Sequence, residues 1–259
     1  MSADVLTGLP RRWRADRLLC GDRARWAAVE PFGDDEGVLL VVSAHEQPGV
    51  SLLGRGDGAT VDRLVEAVVD GGRLDLVRWM SVPRTSRPTP RVLDALGLTP
   101  FSAWDWMASD TEPPATPGED RVHRLDPSRD AEAIRSCLAE ANPSTSADPT
   151  AAGEIGWWGV EDGSGLAGVV GVAARAASDG GASWHLHGLG VRPVARGTGV
   201  GSALAAVATR TGLAAGAEWV SLGLYASNDT ARRLYERLGF RTEAELSSFA
   251  PTGADRPPA

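Results

Sequence analysis

Lysine is missing from this chain: every one of its 26 basic residues is arginine. That removes any phosphate loop of the Gly-x-x-x-x-Gly-Lys kind, whose lysine reaches the terminal phosphates. Cysteine is nearly as scarce. Cys20 and Cys137 stand far apart in sequence, which argues against a disulfide framework and against a cysteine metal cluster. No apolar run is long enough to span a bilayer, and the N-terminal residues lack the charge, apolar core and cleavage site of an export signal. The expected location is therefore cytoplasmic. Positive charge is short as well, since the net charge is −8. Binding to a phosphate backbone needs a basic face, so neither nucleic acid nor a membrane is an expected partner.

What the chain does have is a glycine-rich stretch between residues 184 and 202. It begins as a strand, tightens through Gly197, Gly199 and Gly201, and enters a helix over Ala203 to Thr211 that is almost wholly apolar. Alternating glycines let backbone N–H groups converge, and a helix N-terminus adds partial positive charge, so this is a device for holding phosphate. A dinucleotide fingerprint needs Gly-x-Gly-x-x-Gly early in a parallel βαβ unit. Here the spacing is Gly-x-Gly-x-Gly, and it comes late, after a hairpin turning at Asp162 to Gly165.

Around that stretch the pattern alternates between strands and helices. Strands are expected over residues 26–32, 37–44, 76–82 and 102–108, with helices over 60–69 and 90–96. Residues 50–58 read as a glycine-rich loop. Residues 111–119 form an acidic, proline-rich linker. Beyond it a strand at 121–125, a helix from about Asp130 to Glu140 capped by Ser128 or Asp126, and a polar loop at 142–153 lead to strands at 155–161 and 166–174. A strand at 218–225, an Asn228-capped helix and a last strand at 241–249 follow the glycine turn. The domain expectation is a unit over 1–110, a linker over 111–119, a second unit over 120–250 and a disordered tail over 251–259. The two units repeat one order of elements, which points to an internal duplication.

Leu189, Val191 and Pro193, followed by Arg-x-x-Gly-x-Gly from Arg196, resemble the acetyl-CoA signature of the GNAT N-acetyltransferases. Asn228, Ala231, Tyr235, Gly239 and Phe240 extend the resemblance, which covers residues 121 to 249. It implies an α/β (α+β) fold with a mixed, mostly antiparallel sheet flanked by helices, in two GNAT-like units of which the N-terminal one is degenerate. It also implies acetyl-CoA as co-substrate, no metal, and a small-molecule or peptide amine as acceptor, in a monomer or homodimer. Backbone groups of Arg196, Gly197, Thr198, Gly199, Val200, Gly201 and Ser202 would hold the pyrophosphate. A bulge at Leu189 and Gly190 would splay the strand, so that backbone at Leu189 and Val191 grips the pantetheine arm. Asn228 would reach that arm or cap its helix.

The chemistry sets two further needs. An amine with a pKa near ~10 must lose a proton before it attacks a thioester, and the departing thiolate must gain one. Tyr235 stands where the family's general acid stands. His185 and His187 alternate on one strand, face one side, and suit proton acceptance. Their His-Leu-His string is similar to the corresponding strand of aralkylamine N-acetyltransferases. Asp148 and Glu154 could draw a cationic acceptor, and Trp157 or Trp158 could wall its pocket. The alternative is a non-catalytic acyl-CoA-binding sensor or partner module, which would need neither acid nor base.

Overall fold

Short polar residues mark where most helices begin, and branched or aromatic runs between glycines become strands. In the computed structural model, which describes residues 6–45, 48–72, 74 and 76–254, two short helices come first. These are α1 (Arg11–Arg14) and α2 (Arg17–Asp22), the latter capped by the Asp16 carboxylate. Strands β1 (Trp26–Gly33), β2 (Gly37–Ala44) and β3 (Val50–Gly56) lead to helix α3 (Gly58–Asp70) and strand β4 (Val77–Pro83). Helix α4 (Pro90–Leu96) and strand β5 (Leu98–Ser109) follow. Next come β6 (Val122–Leu125), α5 (Pro127–Ala141), the hairpin β7 (Glu154–Asp162) and β8 (Gly165–Ala176), and β9 (Ala182–Val191). The chain continues with α6 (Val200–Ala214), β10 (Val220–Tyr225), α7 (Asp229–Arg237) and β11 (Arg241–Pro251).

These elements form two compact units. The first holds the chain up to Trp106, with Tyr225–Ser227 and everything from Ala244 onward. Its strand order is β1-β2-β3-β4-β11-β5. Helices α3 and α4 cover one face through Val61, Val65, Val68, Val92 and Leu96, over a core that includes Leu39, Leu52, Met80 and Phe249. Residues 50–58 depart from the expectation of a loop. Val50–Gly56 form a strand paired antiparallel to β2 and parallel to β4, with Asp57 capping α3 and Gly58 beginning it. The glycines there mark close approach: a Cβ on Gly54 would stand 2.5 Å from Val61 Cγ1. Glycine in a strand can mean tight packing as readily as a turn.

The second unit holds Met107–Leu224 and Asn228–Glu243, with strand order β10-β9-β8-β7-β6. Helix α6 packs on one face over Trp158, Val170, Val172 and Leu186. Helix α5 packs on the other over Trp157, Val169 and Leu125. The two adjacent tryptophans thus serve opposite cores of one sheet, fully inside it at 0% and 4% exposure. The proline-rich stretch is strapped to α6 by Arg210, whose guanidinium reaches Glu112 at 3.0 Å and Glu119 at 2.6 Å. The strand expected to close this unit instead crosses over, pairing Leu246 with Pro83 and Phe249 with Met80 of β4. Residues 255–259 of the expected tail lie outside the described residues.

Candidate active site

The site begins where two parallel strands part. Strand β10 pairs with β9 at Trp184, His185 and Leu186 and at no later residue of β9. On its other side β9 stays joined to β8 as far as Val191, but with one extra residue between His187 and Gly190. That bulge sits at Gly188, in the left-handed region at φ +57°, where a side chain would also meet Ala147 Cβ at 2.9 Å and Trp157 Cη2 at 3.0 Å. A bulge bends its strand and strengthens its twist. The edge of β9 at Leu189 and Val191 is left without a β10 ladder.

Beyond β9 the chain makes a short turn and enters α6 from Gly199, a left-handed residue at φ +90° whose side of the helix has no side-chain cap. Ala203 N donates the first helical bond, to Gly199 O at 3.0 Å. The amides of Val200, Gly201 and Ser202 therefore precede the helical ladder. A Cβ on Gly197 would meet nothing within 4 Å, so the turn opens to space. Arg196 plays a different part from the rest. Its amide bonds Pro193 O at 3.3 Å, while its guanidinium bonds Val191 O and Ala141 O, each at 3.1 Å. It pins the turn to β9 and α5, and the cradle of amides runs from Gly197 to Ser202. Thr198 closes the turn through its hydroxyl, which donates to Ala195 O at 2.7 Å.

His185 and His187 share the α5 face of the sheet. Trp157, Gly171 and His187 lie side by side across β7, β8 and β9. His187 stands edge-on to Trp157 with ring centroids 5.4 Å apart. Gly171 makes room for both rings, since a Cβ there would come within 2.6 Å of each. His187 Nε2 lies 3.0 Å from Glu154 Oε1, off the line a hydrogen bond would take. His185 Nδ1 is 3.0 Å from Ser221 Oγ on β10. Neither Glu154 nor Ser221 is marked as a partner by sequence spacing. Only strand pairing brings them there. Asp148 does not serve as a free anion: Arg135 grips it at 2.9 and 3.1 Å, and those bonds hold its carboxyl far below the usual range. Beside the start of β7 a cleft of about 610 Å³ opens between Arg124, Asp126, Thr150 and Glu154.

Tyr235 lies on the buried face of α7, 6% exposed, with its ring edge-on to Phe240 at 5.5 Å. Burial pushes its phenol above the ordinary value, so it is a proton donor throughout the neutral range. Helix α7 lies against the first turn of α6: a Cβ on Gly201 would stand in ordinary contact, 3.5 Å, with both Leu234 Cδ1 and Val191 Cγ2. Asn228 takes the second of its two expected roles: its Oδ1 accepts from Ala231 N at 3.1 Å and caps α7.

The first unit repeats the strand–helix–strand order in β3, α3 and β4, but its helix start is filled. Asp57 caps α3, accepting from Thr60 N at 2.9 Å. A Cβ on Gly58 would stand 2.5 Å from Thr85 Oγ1. A carboxylate already occupies the place an anion would take. Leu93, four residues before Gly97 as Tyr235 is before Gly239, carries no hydroxyl and packs against the core.

The site is thus an α/β sheet opened beside an uncapped, glycine-led helix. Residues 122–240 match the acetyltransferase (GNAT) family, and this segment is a domain of that family. The fold of nearly the whole chain recurs in solved GNAT-family structures. One from Novosphingobium aromaticivorans is 20% identical, with 93% of this chain and 96% of that one covered at a TM-score of 0.55. A GCN5-related N-acetyltransferase from Kribbella flavida is 19% identical over 93% and 95% of the two chains, at 0.54. Another from Sphaerobacter thermophilus is 20% identical over 87% and 82%, at 0.53. No curated protein sequence matches the chain.

Proposed function

We propose that the second unit transfers an acetyl group from acetyl-CoA to the amine of a small molecule or peptide, by direct attack in a ternary complex. The observation that carries the proposal is the pairing of a parted β9–β10 edge with an uncapped helix start. The bare amides from Gly197 to Ser202 suit a pyrophosphate, and the edge at Leu189 and Val191 suits a pantetheine amide as an added strand. Acetyl-CoA, when bound, supplies an activated acyl carbon as a thioester. A backbone N–H of the parted edge polarises the thioester carbonyl and receives its developing charge. The histidine pair on the α5 face accepts the proton of the attacking ammonium, and Tyr235 returns one to the departing thiolate. The first unit, with the Asp57 carboxylate in its helix start, has no place for a pyrophosphate there.

Calorimetric titration with acetyl-CoA, followed by thiol release over a panel of primary amines, tests this reading. The lysine-free chain contributes no side-chain amine background to that assay. Absence of binding at high micromolar acetyl-CoA overturns the proposal. Tight binding with no transfer to any amine leaves the sensor module, against which the buried Tyr235 and the paired histidines stand.

A further inference from the structure

The two histidines face different neighbours. His187 Nε2 lies 3.0 Å from a carboxylate oxygen, Glu154 Oε1. His185 turns Nδ1 onto a neutral hydroxyl, Ser221 Oγ at 3.0 Å, and Ser221 is itself 2% exposed. The same hydroxyl donates to Trp184 O, 3.3 Å away. A carbonyl oxygen can only accept, and a serine hydroxyl has one proton. With that proton directed at Trp184 O, Oγ meets the imidazole with a lone pair, and Nδ1 must bring the hydrogen.

We propose that Ser221 is a positioning residue that fixes His185 as the Nδ1–H tautomer and so makes Nε2 the proton acceptor of the acetyl-transfer site. The assignment of His185 to that reaction rests on the function proposed above; the tautomer does not. His185 and Ser221 stand opposite each other in the parallel ladder, one residue before its last pair, Leu186 with Leu222. The buried Ser221 side chain and the backbone of Trp184 are both fixed by that ladder. The acceptor nitrogen is therefore set by the sheet itself, at the point where the strands begin to part. The second nitrogen of a histidine is what decides its protonation in general.

The test is long-range proton–nitrogen NMR on protein labelled with nitrogen-15 at histidine, at a pH where the imidazoles are neutral. The chain has four histidines, and a His185→Gln spectrum identifies the signals of interest. In the wild type, Nδ1 of His185 should read as the protonated nitrogen. In Ser221→Ala the ratio of Nδ1–H to Nε2–H should fall by about fivefold to tenfold, the preference carried by one hydrogen bond. Ser221→Thr, which keeps the hydroxyl, should retain the wild-type pattern. A wild-type His185 protonated at Nε2 overturns the proposal, because Ser221 would then be donating into the ring. An unchanged ratio in Ser221→Ala overturns it as well. None of these readings needs an acceptor amine, so a failed transfer assay beside the expected spectra would count against the acetyltransferase reading alone.

Discussion

At the scale of single residues the site depends on what is small and what is dry. Gly171 is the clearest case of the first. Alanine there would force back both His187 and Trp157, each 2.6 Å from the new Cβ. We expect Gly171→Ala to cost about 1–3 kcal/mol in urea unfolding, as overpacking does, and to depress acetyl transfer by displacing the histidine. Tyr235 is the case of the second. Tyr235→Phe should lower kcat by about 10²–10³-fold while leaving the acetyl-CoA dissociation constant within about twofold. Equal losses in both would make Tyr235 a packing residue. Its burial also has a sign in pH. The folded phenol is held above its ordinary value of 10.0, so the unfolded chain gives up its proton first. Stability from this group is complete below about pH 10 and is lost as the pH rises beyond it. Unfolding free energies measured upward from pH 9 should decline, and the decline should be smaller in Tyr235→Phe.

At the scale of elements, the contrast between α3 and α6 separates a helix start that is filled from one that is left bare. Both follow a strand and several glycines. One begins with a carboxylate that satisfies its amides, the other with a left-handed glycine that leaves them bare. Gly199→Ala puts a side chain at φ +90°, a strain of about 1–3 kcal/mol. We expect a weaker acetyl-CoA affinity by calorimetry together with a lower unfolding midpoint. Helices were the most readable elements in the sequence, and Asp126 and Asn228 are side chains whose capping chemistry is local. The glycine turn was readable for the same reason. Strand β3 was not, since Gly54 and Gly56 look like turn residues until Val61 and Trp13 are seen pressed against them. The pairing of His185 with Ser221 and of His187 with Glu154 was hidden for a further reason. Each joins residues from different strands, and only the register of the sheet decides who meets whom.

At the scale of the whole chain, β11 is the element that the sequence placed on the wrong side. A strand that directly follows α7 reads as that helix's neighbour, yet from Leu246 it pairs with β4. Trp79 bonds Ser81, Ser81 bonds Ser248, and Trp104 bonds Ser248 at 2.7 Å, so β11 also closes a buried chain of side-chain hydrogen bonds. A chain ending before Ala244 leaves β4 with an unpaired edge, Trp104 without its acceptor and Ser81 without its hydroxyl partner. We expect such a protein to be prone to aggregation and to show altered emission from buried Trp79 and half-buried Trp104. A circular dichroism signal and emission spectrum identical to those of the full chain would contradict this.

The crossing of β11 also fixes an order of events at the ribosome. Ser81 and Ser248 are 167 positions apart, and every residue of the second unit has been synthesised before Ala244 appears. The unit made first is therefore the one finished last: β4 waits through most of translation for its partner, while the later unit already has all of its chain. Such long-range pairing is slow to form and exposed while it waits. In this protein the acetyltransferase domain is complete in chain before the unit that precedes it in the sequence.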